Sequence, residues 1–257
     1  MKSLRTAALV LIVSGLAAAA GCSHKVAGDA PTTAPREATR VIEHKVTAGE
    51  TLALIADNYY GDPARAAKVA ADNGIADPAR LAVGAVLRLR FSDDEWAAAR
   101  QRAAALVPYN QGVELMAAGR VAEAEDQFHL ALATAPDLVS ARYNLALVLA
   151  QRGHSEEALA LLEELTTERP QALDIRFARG HALFGAGRFA EAAEQFQVVL
   201  ARQPDHRRAA FGLARALEEE GLTDQAIAAW ERYLVLDPES SWADQARSRL
   251  RKLQDAG

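Results

Sequence analysis

The sequence predicts a mainly α protein: a stacked array, or α-solenoid, of four helix pairs with capping helices, preceded by a small βααβ domain. Three observations carry that reading. A proline recurs every 34 residues, at Pro136, Pro170, Pro204 and Pro238. Other residues keep the same step upstream of it. The small ones are Gly119, Gly153, Gly187 and Gly221, then Ala124, Ala158, Ala192 and Ala226, then Gly112, Ala146, Gly180 and Ala214. Leu115, Leu149, Leu183 and Leu217 follow, as do the aromatics Tyr109, Tyr143, Phe177 and Phe211. A period of this length in these residue types marks pairs of helices stacked side by side. The third observation is the stretch 43–91, where two short apolar runs bracket two short helical patterns.

The chain has 257 residues, room for one or two domains once any processed segment is removed. Charged residues are 25% of it and the formal net charge is −5, which argues against nucleic acid as a partner. The single cysteine rules out an intramolecular disulfide. That cysteine, Cys22, follows a charged start (Lys2, Arg5), an apolar run from Ala7 to Ala20 and the small residues Ala19, Ala20 and Gly21. The run has signal-peptide length and is short for a membrane span. The segment resembles the lipobox of bacterial lipoproteins, where signal peptidase cuts before a cysteine that is diacylated and then N-acylated. The commonest residue three before that cysteine is leucine; Ala19 stands there here. An ordinary secretory signal with an incidental cysteine is the other reading. The resemblance implies a signal peptide over 1–21, lipidation of Cys22 and a membrane-anchored location in the cell envelope. Ser23, next to the cysteine, points to the periplasmic face of the outer membrane. Losing Lys2 and Arg5 takes the formal charge from −5 to −7. Two or more acyl chains anchor stably where one is marginal. Residues 22–42, rich in Ala, Pro, Thr and charge, read as a lipidated flexible tether about 25 Å from end to end.

Within 43–91, His44–Val46 can form a short strand. Gly49, Glu50, Thr51 and Leu52 open a helix through Asn58, with Leu52, Ile55 and Ala56 inward. Asp62 and Pro63 suit the cap and first turn of a second helix, which ends at Asn73-Gly74. Leu81 to Leu89 supplies Val83-Gly84 and then Val86, Leu87, Arg88 and Leu89 of a closing strand. These elements resemble the LysM module, on Val46-x-x-Gly49-Glu50-Thr51-Leu52-x-x-Ile55-Ala56, Asn73 and Leu81-x-Val83-Gly84-x-x-Leu87-x-Leu89. Ala48 and Val83 stand where the family often has proline. The resemblance implies binding of N-acetylglucosamine-containing glycan, in bacteria that of peptidoglycan, in a groove between two loops. Carried over, these are Gly49, Glu50, Thr51 and Leu52 on one side, and Asn73, Gly74, Ile75, Ala76 and Asp77 on the other. Loop amides would bond acetamido groups while Leu52 and Ile75 cover apolar sugar faces. The same residues have plainer readings: Gly49 and Gly74 as turns, Thr51 as a helix cap, Leu52 as core.

Ser92-Asp93-Asp94-Glu95 is a capping box that starts a connecting or capping helix over 92–104. Pro108 predicts a kink or break at the start of the first repeat. The repeats then occupy 105–138, 139–172, 173–206 and 207–240. In the second, a helix from Ser140 to Arg152 presents Tyr143, Ala146, Leu147 and Leu149. Gly153 ends it, and a second helix from Ser155 carries Ala158, Leu161, Leu162 and Leu165. Ala146 and Ala158 are small where the helices cross, and Pro170 stops the second helix. The pattern resembles the tetratricopeptide repeat (TPR) family. The family's aromatic in the second helix appears as Phe128, Phe196 and Trp230, but as Leu162 in the second copy. The tryptophan near the start of the first helix is replaced by Pro108, Arg142, Arg176 and Ala210. Residues 241–257 read as a solvating cap, with Ala243, Ala246, Leu250 and Leu253 on one side.

First-helix positions form the concave surface of such an array. Tyr109, Tyr143, Phe177 and Phe211 line it, joined by Val113, Met116, Leu147, His181 and Phe184 in the first three repeats. Arg208, Arg215, Glu218 and Glu219 replace them in the last. The expectation is a groove for a peptide or helix, apolar at one end and charged at the other, although aromatics at this register also serve packing. No HExxH, paired-cysteine spacing, GxSxG or Walker loop occurs, so neither catalysis nor a cofactor or metal is expected. The function expected is a non-catalytic, lipid-anchored envelope adaptor that binds peptidoglycan and protein partners. The alternative is a dedicated accessory subunit of an envelope machine, serving pilus assembly, outer-membrane assembly or control of a wall hydrolase.

Overall fold

The computed structural model describes residues 40–256. Cys22, the segment 1–21 and most of the expected tether lie outside the described residues. The chain divides into two compact units, the first closing at Leu106 and the second opening at Val107.

In the first unit, β1 (Arg40–Lys45) and β2 (Val86–Phe91) pair antiparallel, with Arg40 opposite Phe91 and Lys45 opposite Val86. Between them lie α1 (Leu52–Tyr60), a 3-10 turn at Pro63–Arg65, α2 (Ala66–Asp72) and a second 3-10 turn at Pro78–Arg80. β2 alternates as a one-sided strand should: Leu87, Leu89 and Phe91 are buried while Val86 and Arg88 are exposed. Thr51 caps α1 by accepting from the Leu54 N–H at 3.1 Å. Gly61 closes the helix at φ +72°, donating its N–H to the Asp57 carbonyl.

Several boundaries differ from expectation: the closing strand runs past Leu89 to Phe91, and the second helix is split into the 3-10 turn at Pro63–Arg65 and α2. The strand expected from His44 begins at Arg40, so the last three residues assigned to the tether are sheet. Ile42 is buried there, and Arg40 Nε reaches Asp93 Oδ1 at 2.6 Å beyond the end of β2. The helix expected to stop at Asn58 continues to Tyr60, because both tyrosines have apolar partners to gain. Tyr59 is buried and Tyr60 stacks on Phe91 with ring centroids 4.5 Å apart.

The capping box forms: Ser92 N–H donates to Glu95 Oε2 at 3.0 Å and Glu95 N–H to Ser92 Oγ at 3.4 Å. It opens α3 (Asp93–Ala117), a single 25-residue helix with Pro108 inside it. The break expected at Pro108 is absent, and so is a separate connecting helix ending at residue 104. Proline removes one N–H from the ladder, a local loss. Against it, Ala105 and Leu106 are buried just before Pro108, and Gly112 fits against Phe128 just after it.

The second unit continues with α4 (Val121–Thr134), α5 (Val139–Gln151), α6 (Ser155–Glu168), α7 (Leu173–Gly185), α8 (Phe189–Arg202), α9 (Arg207–Glu219), α10 (Thr223–Leu236) and α11 (Ser241–Ala256). Successive helices from α4 onward pack on each other, and α7 also contacts α5 on one side and α9 on the other. This is the mainly helical solenoid of stacked hairpins. Each hairpin turns in the same way. After α5, Gly153 takes φ +85° and the next N–H, of His154, reaches back to the Leu149 carbonyl at 2.9 Å. Arg120, Arg188 and Leu222 do the same to Leu115, Leu183 and Leu217.

The core between the helices is a fit of rings against small residues. Phe196 of α8 is 2% exposed and lies between two glycines of the flanking helices. A Cβ on Gly180 would stand 2.8 Å from its ring, and one on Gly212 would stand 2.7 Å from it. Phe128 meets Gly112 likewise, at 2.6 Å. In the second repeat, where leucine replaces the ring at position 162, alanine stands at 146; both are wholly buried. Gly180→Ala should therefore cost about 1–3 kcal/mol by overpacking, more than the ~1 kcal/mol of helix propensity it gains. Combined with Phe196→Leu, it should cost less than the sum of the two single changes. Denaturant titration of both single variants and the double checks this.

Candidate functional site

The array's concave side carries a cavity of about 590 Å³, shaped by α7, α9 and the start of α11. Phe177, Phe184 and Phe211 give it apolar walls, and Trp242, at the second position of α11, adds an indole that is 54% exposed. The rings are locked by packing. Phe211 meets Trp230, Tyr233 and Trp242 edge-on with centroids 5.0–5.2 Å apart. Phe177 lies 5.8 Å from Phe196. Phe177 and Phe211 are thus half core and half surface, packing on the next helix and walling the cavity at once.

The polar side of the cavity is cationic. Arg207, Arg208 and Arg215 all line it, with His181. The Arg215 guanidinium lies 4.4 Å over the Phe184 ring, and its Nε is buried without a hydrogen-bond partner. Glu218, one turn along α9, could have neutralised Arg215 but is held elsewhere. It accepts from Trp230 Nε1 at 3.0 Å and from Arg249 Nη1 at 2.9 Å. Burial, with the nearby Arg249 charge, holds the Arg215 pKa below the usual arginine value. The one carboxylate at the rim, Asp237, accepts from Tyr233 Oη at 2.8 Å and Ser240 Oγ at 2.7 Å. Those two bonds keep its pKa low.

Six residues expected in the groove, Phe177, His181, Phe184, Arg208, Phe211 and Arg215, meet in this cavity. Five others, Tyr109, Val113, Met116, Tyr143 and Leu147, belong to earlier repeats and stand outside it, as do Glu218 and Glu219 of the last. Tyr109 accepts from Asn144 Nδ2 at 3.1 Å, bridging the first and second repeats. Tyr143 is half-buried, and burial pushes its hydroxyl up to about 12. Val113 is exposed, while Met116 and Leu147 are half-buried. Sequence reasoning missed Arg207, Tyr233, Asp237 and Trp242. Trp242 breaks no repeat register because it lies beyond the repeats; an aromatic on the otherwise polar face of the cap was the available signal.

The two loops of the first unit are anchored on adjacent rungs of the strand ladder. Glu50 accepts from His44 Nε2 at 3.0 Å and from the Thr47 N–H at 2.6 Å, and His44 Nδ1 lies 3.1 Å from Tyr59 Oη. Burial raises the Glu50 pKa, but the bonds from His44 and Thr47 outweigh it and leave the carboxyl below its usual value. Asn73 donates to the Val69 and Arg88 carbonyls and accepts from the Arg88 N–H, tying α2 to β2. His44 pairs with Leu87 and Glu43 with Arg88. Gly49 and Gly74 take φ +87° and +66°, so both are turn residues. Thr51 is a helix cap and Leu52 is core, 3% exposed. Asp77 caps the second 3-10 turn by accepting from the Ala79 N–H. Ala76 is exposed and Ile75 half-buried, whereas the N–H groups of Thr47, Glu50, Asn73, Gly74 and Ile75 are used within the loops.

Among the described residues no cluster of His, Cys, Asp and Glu could hold a metal ion, and no helix is long and apolar enough to cross a membrane.

Stacked hairpins with a half-buried aromatic concave face define a helical-repeat interaction scaffold. The tetratricopeptide-repeat family model matches residues 109–172 and 177–241, half of the chain, and the chain belongs to that family. It is 36% identical over 123 residues to DnaJ homolog subfamily C member 3 of Rattus norvegicus, and 34% over 122 residues to the Homo sapiens protein. These matches take in 47% and 46% of this chain, and the chain spans about a quarter (24%) of those relatives' length. Among solved structures, MamA residues 41 to the end from Desulfovibrio magneticus RS-1 superposes with a TM-score of 0.50 at 18% identity. That match covers 59% of this chain and 93% of that one, a likeness of fold.

Burial and the Arg215 charge both hold the His181 pKa below the ordinary value of 6.5. The unfolded chain then binds this proton more readily, so stability falls as pH drops below about 6.5 and levels off below the folded value. In an NMR titration His181 should titrate below 6.5, and Arg215→Gln should move it upward.

Proposed function

We propose that this protein is a non-catalytic scaffold of the bacterial cell envelope, held by lipid at Cys22 and by glycan at residues 43–91, that presents its helical repeats to protein partners. The repeat array is the established part, and protein interaction is its general use. The observation that carries the reading further is the concave cavity, where aromatic walls and unpaired arginines converge on one opening.

The envelope part rests on the N-terminal sequence and on the first unit. Strand, helix, helix, strand is the element order of a LysM module, and the loops at 47–51 and 73–77 are braced from within by Glu50 and Asn73. Such bracing leaves Ile75, Ala76 and the exposed turns at Gly49 and Gly74 for a sugar chain, with Glu50, Asn73, Thr51 and Leu52 as supports. The neighbouring tetratricopeptide-repeat proteins bring no partner to this chain.

Cys22→Ser should move the protein from the membrane fraction to the soluble fraction on cell fractionation. Unchanged partitioning would remove the lipid anchor. The soluble Cys22→Ser chain should co-sediment with purified insoluble peptidoglycan. Ile75→Asp should weaken retention about tenfold, equivalent to ~1.4 kcal/mol. Absence of retention by the parent chain would remove the glycan role and leave the repeat scaffold standing.

A further inference from the structure

Six of the fifteen arginines of the repeat unit are held by a carboxylate. Arg142 holds Glu168 at 2.6 Å, Arg152 holds Glu125 at 2.5 Å and Arg188 holds Glu191 at 2.7 Å. Arg120 pairs with Glu123, and Arg247 and Arg249 hold Asp244 and Glu218. What sets two others apart is their place on the aromatic wall of the cavity. Arg208 and Arg215 make no ion pair with a carboxylate among the described residues, although the chain as a whole is acidic at −5. Two nearby carboxylates are engaged elsewhere, Glu218 with Trp230 and Arg249, and Asp237 with Tyr233 and Ser240, while the exposed Glu219 acts on Arg215 only through its charge and forms no ion pair with it. A guanidinium stacked on an aromatic face, as Arg215 is on Phe184, keeps its in-plane N–H donors free for a carboxylate. Beside these cations stand Phe211 and the exposed indole of Trp242. A volume of about 590 Å³ lies within the usual range for ligand sites, roughly 300–1,000 Å³.

We propose that this cavity of the last two repeats and the cap binds an acidic peptide segment of a partner protein, one that places a carboxylate on Arg208 and Arg215 and a neighbouring bulky apolar side chain between Phe211 and Trp242. The proposal rests on reading the array as a docking groove, and adds the partner's chemistry and place. The carboxylate supplies orientation through charge-assisted bonds, and the apolar side chain supplies buried area in a pocket whose rings are already held by the core. Desolvation of Arg215 is already partly met by the fold, since its Nε is buried without a partner.

The test is selection from a random peptide library displayed on phage, against the full-length Cys22→Ser chain and its Arg208→Gln/Arg215→Gln and Trp242→Ala variants. All are first checked for unchanged helicity and melting. Peptides with Asp or Glu within three residues of Trp, Phe or Leu should be enriched. Their affinity should fall at least tenfold in both variants, and should fall with added salt for the parent. Enrichment of neutral or basic peptides, or affinity unchanged by the arginine substitutions, would overturn the ligand class. If such peptides still need Tyr143 and Phe177, the groove itself survives. No enrichment at all would overturn both. Binding to phosphatidylglycerol vesicles that depends on the two arginines, without peptide enrichment, would assign the cations to a membrane and also overturn the proposal.

Discussion

The repeat unit depends on how closely its helices can approach, and that distance is set by rings lying on small residues. Phe196 has a glycine on each side, Gly180 from its own hairpin and Gly212 from the next, so one ring joins two repeats. Such an arrangement leaves no slack in a close-packed interior. The pairing is matched in size along the chain: glycine where the ring is phenylalanine, alanine at 146 where leucine stands at 162. Trp230 pairs in register with Ala214 and settles its larger ring by turning its indole N–H onto Glu218. No hairpin could bury this face alone, so stacking and packing are one event.

The same contacts prepare the concave surface. An aromatic that packs by one edge onto the next helix presents its other edge with little freedom left to lose on binding. Phe211 shows this most clearly, wedged among Trp230, Tyr233 and Trp242. The electrostatic character of the cavity is likewise a by-product of commitments elsewhere. Glu218 serves a buried indole and Arg249, and Asp237 serves the turn into α11, so neither neutralises the arginines beside it. Unpaired cations on an acidic chain are the outcome of that division of labour.

In the first unit, polar side chains fasten the loops to a small apolar core that includes Leu52, Ile55, Leu89 and Phe91. A two-stranded sheet is marginal by itself, and two short helices and loops must be fastened to it. Glu50 through His44, and Asn73 through Arg88, provide those fastenings from within the loops. Residues that read in sequence as candidate ligand contacts are therefore structural supports in several cases, with Leu52 wholly in the core.

The sequence by itself determined the repeat period, the hairpin turns at glycine and the capping box, because each depends on residues a few positions apart or on a pattern copied four times. It also pointed to the first-helix aromatics and to Arg208 and Arg215. Only the tertiary structure decided that α3 runs unbroken through Pro108, since the lost hydrogen bond competes with burial on both sides of it. Only the tertiary structure gathered Phe177, Arg215 and Trp242 into one cavity. These residues come from two repeats and a cap that follows no repeat register, and their meeting is set by the stacking of helices rather than by any local spacing.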